Sequence, residues 1–85
     1  MEEILQIIET MRKQFGWDKS DTTEFLIGAL EGEVNELKAA INNPDDFQKE
    51  LADVLMYAIA LAMKHQLNIK TIIENKANEV MKREY

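Results

Sequence analysis

Sixteen acidic side chains occur in this 85-residue chain, and four of them fall at spacings that could do chemistry. Glu33 and Glu36 form one pair, Glu50 and Asp53 another, each separated by three residues. Residues three apart are neighbours on a helix surface, so each pair would present two carboxylates together. Two such pairs on facing helices would repel one another strongly unless a cation lay between them. Mg²⁺ takes hard oxygen ligands while keeping several waters, which leaves room for substrate phosphates; Mn²⁺ accepts the same donor type and is the natural substitute. Spacing alone is weak support, since Glu-x-x-Glu is common on solvated helices. The surrounding pattern has to supply the rest.

The hydrophobic periodicity is helical throughout, broken by only three glycines and one proline. A first helix is expected over about residues 2–15, with Ile4, Ile7, Ile8, Met11 and Phe15 on one stripe and Gly16 as its C-terminal cap. A second should begin near Asp21, with Glu24 completing a capping box, and run to about Asn42. Asn43-Pro44-Asp45-Asp46 reads as a cap, a proline at the first helical position and acids in the first turn. The third helix then extends to about His65, and Asn68 caps a fourth that continues towards the C-terminus. Short linkers imply antiparallel neighbours. The expected fold is all-α: one domain over residues 1–85, a compact bundle of about four helices.

Laid out at about 100° per residue, Leu26, Ala29, Leu30, Leu37, Ala40 and Ile41 form an apolar stripe on the second helix. Glu33 falls near the middle of that stripe and Glu36 at its edge. An unpaired carboxylate there would be costly to ionise. On the third helix, Leu51, Ala52, Val54, Leu55, Ala58, Ile59 and Ala62 make a very wide apolar face, with Glu50, Asp53 and Tyr57 sharing one polar stripe. A helix apolar nearly all round is normally covered on most sides. Acids placed in this way on two helices make a buried cation site the economical explanation.

Bulk properties narrow the alternatives. A net charge of −6 argues against a nucleic-acid-binding surface, which needs a basic footprint. The longest nearly apolar run, Leu51 to Met63, includes Asp53 and falls short of the roughly 18 apolar residues a membrane span requires. The opening Met1-Glu2-Glu3 lacks the basic leader and apolar core of a secretory signal, so a cytoplasmic protein is expected. With no cysteine, neither disulfides nor a thiolate metal site can brace so short a chain. Self-association is a physical expectation for that reason. His65 has no partner at metal spacing and reads as a helix-end residue, and the five methionines read as core filler.

The stretch Leu30-Glu31-Gly32-Glu33-Val34-Asn35-Glu36-Leu37, followed by Glu50-Leu51-Ala52-Asp53-Val54-Leu55, resembles the MazG-like family of the all-α nucleoside triphosphate pyrophosphohydrolase superfamily. That family's pattern is Glu-x-x-Glu, a variable gap, then Glu-x-x-Asp continuing as Asp-Val-Leu. The resemblance runs from about Trp17 to Arg83. It implies Glu33, Glu36, Glu50 and Asp53 as Mg²⁺ ligands, one of which could instead deprotonate the attacking water. It also implies hydrolysis of an NTP or dNTP between the α and β phosphates, giving a nucleoside monophosphate and pyrophosphate, in nucleotide-pool housekeeping.

By the same resemblance, Tyr57 would stand near the nucleotide, against the alternative of a core tyrosine. Trp17 would line a base pocket, against simple packing at the Gly16 turn. Lys76 matches a phosphate-contacting lysine and Arg83 is a second basic candidate, although basic residues late in a helix also suit its dipole. Relatives often carry asparagine one turn after that lysine, where this chain has Val80. The resemblance further implies a homo-oligomer, a tetramer built as a dimer of dimers in preference to a dimer, with four-helix units completed by a second subunit. Two rivals and a third possibility, a divergent and inactive nucleotide binder, stand beside this reading. The first rival is an enzyme similar to phosphoribosyl-ATP pyrophosphohydrolase; the second is a non-enzymatic interaction module, with the wide apolar face of the third helix as its partner surface.

Overall fold

The computed structural model describes residues 1–83, and every regular element among them is a helix. The order is α1 (Glu2–Gln14), α2 (Trp17–Ser20), α3 (Thr23–Ala39), α4 (Pro44–Lys64) and α5 (Ile69–Met81). Four of these are the expected helices: α1, α4 and α5 start where expected, and the start of α3 and the ends of α1, α3 and α4 are displaced by a residue or more. The fifth, α2, is a single turn that the periodicity did not reveal because one turn is too short to carry a stripe.

Three helix starts follow from their caps. Asn43 accepts from the Asp46 N–H ahead of Pro44, and Asn68 accepts from the Thr71 N–H, both as expected. The α3 start differs from expectation. Thr22, not Asp21, is the N-cap, its hydroxyl accepting from the Phe25 N–H. Asp21 is turned away because its carboxylate pairs with Arg12. Gly16 sits in the left-handed region at φ 72°, which turns the chain from α1 into α2.

The helix α4 closes in a Schellman motif: the Leu67 N–H bonds to the Ala62 carbonyl and the Gln66 N–H to that of Met63. His65 is the C-cap, and its Nε2 lies 3.0 Å from the Thr23 hydroxyl. The left-handed position is held by Gln66 at φ 56°, where a glycine fits without strain.

Packing is concentrated in the α3–α4 hairpin, with α1 lying across α4 through a smaller contact. Leu26 is fully buried, and Ile8, Ala40, Ala60 and Ala62 complete the apolar core. The expectation of a compact bundle is not met within one chain. The radius of gyration is 14.7 Å, against about 12 Å for a compact chain of this length. The exposed surface of 6753 Å² likewise exceeds the roughly 5,200 Å² expected at this mass. The helix α5 makes no extensive packing with any other helix. Between it and α4 runs an open groove of about 500 Å³, lined by Leu55, Ala58, Ile59, Ala62, Ile69 and Ile73 among others. Ile4, Ile7 and Phe15 of the α1 stripe are also exposed, so only Ile8 of that stripe reaches the core proper. Met1 and Met81 are exposed too, and the core-filler reading holds at most for Met11, Met56 and Met63.

Replacing Gln66 by glycine should remove the cost of a left-handed side chain, about 1 kcal/mol. Urea denaturation is expected to show the midpoint of Gln66→Gly rising with an unchanged slope.

Candidate metal centre

The α3–α4 hairpin brings Glu33 of α3 opposite Glu50 and Asp53 of α4. One carboxylate oxygen from each lies within 4.8 Å of the other two, and all three residues are half-buried. The cause is visible in the stripes. Glu33 shares a helix face with Leu26, Ala29, Leu30 and Leu37, all buried or half-buried, on a helix that packs on α4. Glu50 and Asp53 project from the polar stripe of α4 that faces α3.

The Glu33 carboxyl is raised above its ordinary 4.5. Burial is the first cause, and repulsion from Asp53 and Glu50 adds to it. The donor set suits a hard divalent cation. It consists of carboxylate oxygens with no imidazole or thiolate, which favours Mg²⁺ or Mn²⁺ over softer metals. Ligands at about 2.1 Å from a common Mg²⁺ lie at most roughly 4.2 Å apart. A separation limit of 4.8 Å therefore needs only a few tenths of an ångström of side-chain closure.

A cavity of about 220 Å³ opens beside the carboxylates. Glu33 and Asp53 form its acidic wall, and Trp17, Tyr57, Met11, Met56 and Arg12 form the remainder. Trp17 stacks on Phe15 with ring centroids 4.7 Å apart. The structure thus gathers Glu33, Glu50, Asp53, Tyr57 and Trp17 into one region. Glu36 sits on the exposed side of α3, outside the three-carboxylate cluster. Lys76 and Arg83 lie elsewhere: Lys76 borders a separate groove along α5, and both basic groups pair with Glu79.

Three lining residues escaped the sequence reading. Met11 and Met56 read only as packing residues. Arg12 is buried despite its charge, pairing with Asp21 at 3.0 Å. Its one sequence signal was the position four residues after Ile8, which puts a cation beside an apolar stripe.

Comparison with known proteins is consistent with this geometry. The family model for the MazG nucleotide pyrophosphohydrolase domain matches residues 21–84. No curated protein and no solved structure matches the chain.

The raised Glu33 carboxyl gives a signed expectation for the metal-free protein. Because the folded value exceeds the unfolded one, ionisation of Glu33 costs stability. The cost is absent below the ordinary value of 4.5, grows as pH rises through the folded value, and is complete above it. Metal-free Glu33→Gln should therefore melt above the wild type at pH 7.5, with the gap closing below pH 4.5. Adding a hard divalent cation should raise the wild-type melting temperature and leave that of the variant nearly unchanged.

Proposed function

The chain belongs to the MazG nucleotide pyrophosphohydrolase domain family, and from that premise we propose that it hydrolyses nucleoside triphosphates, NTP or dNTP, to nucleoside monophosphate and pyrophosphate. The observation that carries the reading is the three-carboxylate cluster set beside an aromatic-lined cavity.

Glu33, Glu50 and Asp53 would hold Mg²⁺, or Mn²⁺ in its place, with Glu36 as a fourth ligand once its side chain turns inward from the α3 surface. When bound, the cation would neutralise phosphate oxygens and make a nearby water more acidic. Water oxygen attacks the α-phosphorus, the bond from that phosphorus to the bridging oxygen breaks, and pyrophosphate leaves. A carboxylate of the cluster takes the proton released by the water. Burial around Glu33 strengthens the interaction of these groups with charge placed among them. The faces of Trp17 and Tyr57 suit the flat apolar surface of a base. Pool housekeeping is the role such a reaction serves.

Self-association belongs to the same proposal. The protomer exposes well over 1,000 Å² more than a compact chain of its mass should. Leu51, Leu55, Ile72 and Ile73 are among the exposed apolar residues on α4 and α5. A second copy covering this face would complete a four-helix unit, and a dimer of dimers is favoured over a single dimer. Lys76 and Arg83, remote from the carboxylates of their own chain, would then serve a site only across the assembly. No helix among the described residues is long and apolar enough to cross a membrane.

Pyrophosphate release should be measured across canonical and modified NTPs and dNTPs, with phosphoribosyl-ATP included. Mg²⁺-dependent release from at least one nucleoside triphosphate is expected. Glu33→Gln and Asp53→Asn should each lower kcat by about 100-fold or more while helical circular dichroism persists, and Glu36→Gln should have a smaller effect. Activity surviving both of the first two substitutions, or confined to phosphoribosyl-ATP, would sink the proposal. Sedimentation at micromolar concentration should show an oligomer; a stable monomer would remove the assembly part of it.

A further inference from the structure

Arg12 is the only buried charged residue among the described residues, and its bonds lead to the cavity wall. Its Nη2 donates to Asp21 Oδ2 at 3.0 Å and to the Trp17 backbone carbonyl at 3.1 Å. One nitrogen carries two hydrogens, so both bonds form at once. The side chains of Arg12 and Asp21 are 9% and 11% exposed, which keeps the pair from being screened away by solvent.

Three separate pieces of chain meet at this nitrogen: α1 through Arg12, the start of α2 through the Trp17 carbonyl, and the approach to α3 through Asp21. Otherwise α2 has little to hold it. It is one turn long, follows a left-handed glycine, and packs chiefly on α1. The indole of Trp17 leans on Phe15, which is itself exposed. Arg12 also forms the partition between two cavities. On one side lies the cavity holding Glu33, Asp53, Tyr57 and Trp17; on the other lies a charged cavity of about 180 Å³ bordered by Glu9, Lys13, Asp18 and Lys64.

We infer that the Arg12–Asp21 pair is a positioning clamp that fixes the Trp17 turn against the metal centre, and so sets the width of the pocket for the nucleoside part of the substrate. Arg12 acts through Trp17 and does not touch the reacting phosphate. The inference rests on the nucleotide-hydrolysis reading for its ligand, but the ordering of Trp17 by Arg12 can be tested without any ligand. The clamp also explains why Asp21 gives up the α3 cap to Thr22. A capping bond from Asp21 to α3 would leave Arg12 buried with no counter-charge.

The test uses the full chain and its single tryptophan. In Arg12→Met combined with Asp21→Asn both charges leave together, so no unpaired charge is buried, while the bond to the Trp17 carbonyl is lost. Arg12→Lys keeps the charge but shortens the reach, and serves as a second variant if the first does not fold. In the ligand-free protein, acrylamide should quench Trp17 fluorescence more steeply in either variant than in the wild type. With Mg²⁺ and the best nucleoside triphosphate from the substrate screen, KM should rise about tenfold, equivalent to about 1.4 kcal/mol of binding, while kcat and the Mg²⁺ half-saturation stay within about twofold.

Unchanged quenching in a folded variant would overturn the clamp. So would a fall in kcat at constant KM, which would place Arg12 in the chemical step. Wild-type protein that releases no pyrophosphate would overturn the hydrolysis reading, and with it the pocket-width part of this inference. The quenching comparison would still decide whether Arg12 orders Trp17.

Discussion

Three carboxylates held within 4.8 Å of one another at a helix interface are the constraint around which this chain is built. Like charges in a partly buried site oppose the packing that brings them together; burial first, and then repulsion from Asp53 and Glu50, raises the Glu33 carboxyl. The α3–α4 hairpin has to supply the packing that offsets that opposition, and its composition fits. Leu26 is fully enclosed, and Ala60 and Ala62 are buried near the end of α4 beyond the acids. A chain of this size has little stability to spare. A cation among the carboxylates would turn the least favourable part of the fold into a stabilising one, because binding to the folded state alone adds to its stability.

Much of the helical framework was legible in the sequence because it is set locally. Asn43 and Asn68 cap their helices through bonds to the third residue beyond, a distance any periodic reading covers. Asp21 shows where local reasoning stops. It has the right type and spacing for a capping box with Glu24, but its carboxylate is taken by Arg12, nine residues earlier in the chain. Nothing within one turn of Asp21 signals that competition. Compactness failed for a related reason: the apolar faces of α4 and α5 were legible, but apolarity does not say whether the complementary surface lies in the same chain.

The site divides along the same line. Glu33 was identifiable because it interrupts an apolar stripe, and a stripe that packs must carry its interruption inward. Glu50 and Asp53 were identifiable because they share the polar stripe of a helix that is apolar elsewhere. Glu36 lay only at the edge of its stripe, and the structure leaves it exposed and outside the cluster. Spacing fixes a residue's face on its own helix, but not which helix comes to meet that face. Lys76 on α5 and Arg83 just beyond it illustrate this, since both are paired with Glu79 and neither borders the cavity that contains Trp17 and Tyr57.

The two faces of α4 connect these points. At about 100° per residue, Leu51, Leu55, Ala58 and Ala62 lie roughly opposite Glu50, Asp53 and Tyr57 on the same helix. One side presents the acids to α3, and the other borders the open groove against α5. Leu55, 53% exposed, marks how little of that second side the protomer covers. A second copy docked there would bury apolar area and also restrain the helix carrying two of the three clustered carboxylates. Metal affinity depends on how well its ligands are held before the ion arrives, so assembly and cation binding would reinforce one another through the rigidity of a single helix. An acidic cluster on one face and an uncovered apolar face opposite would then be two halves of one device, with self-association bracing the site that the protomer alone only sketches.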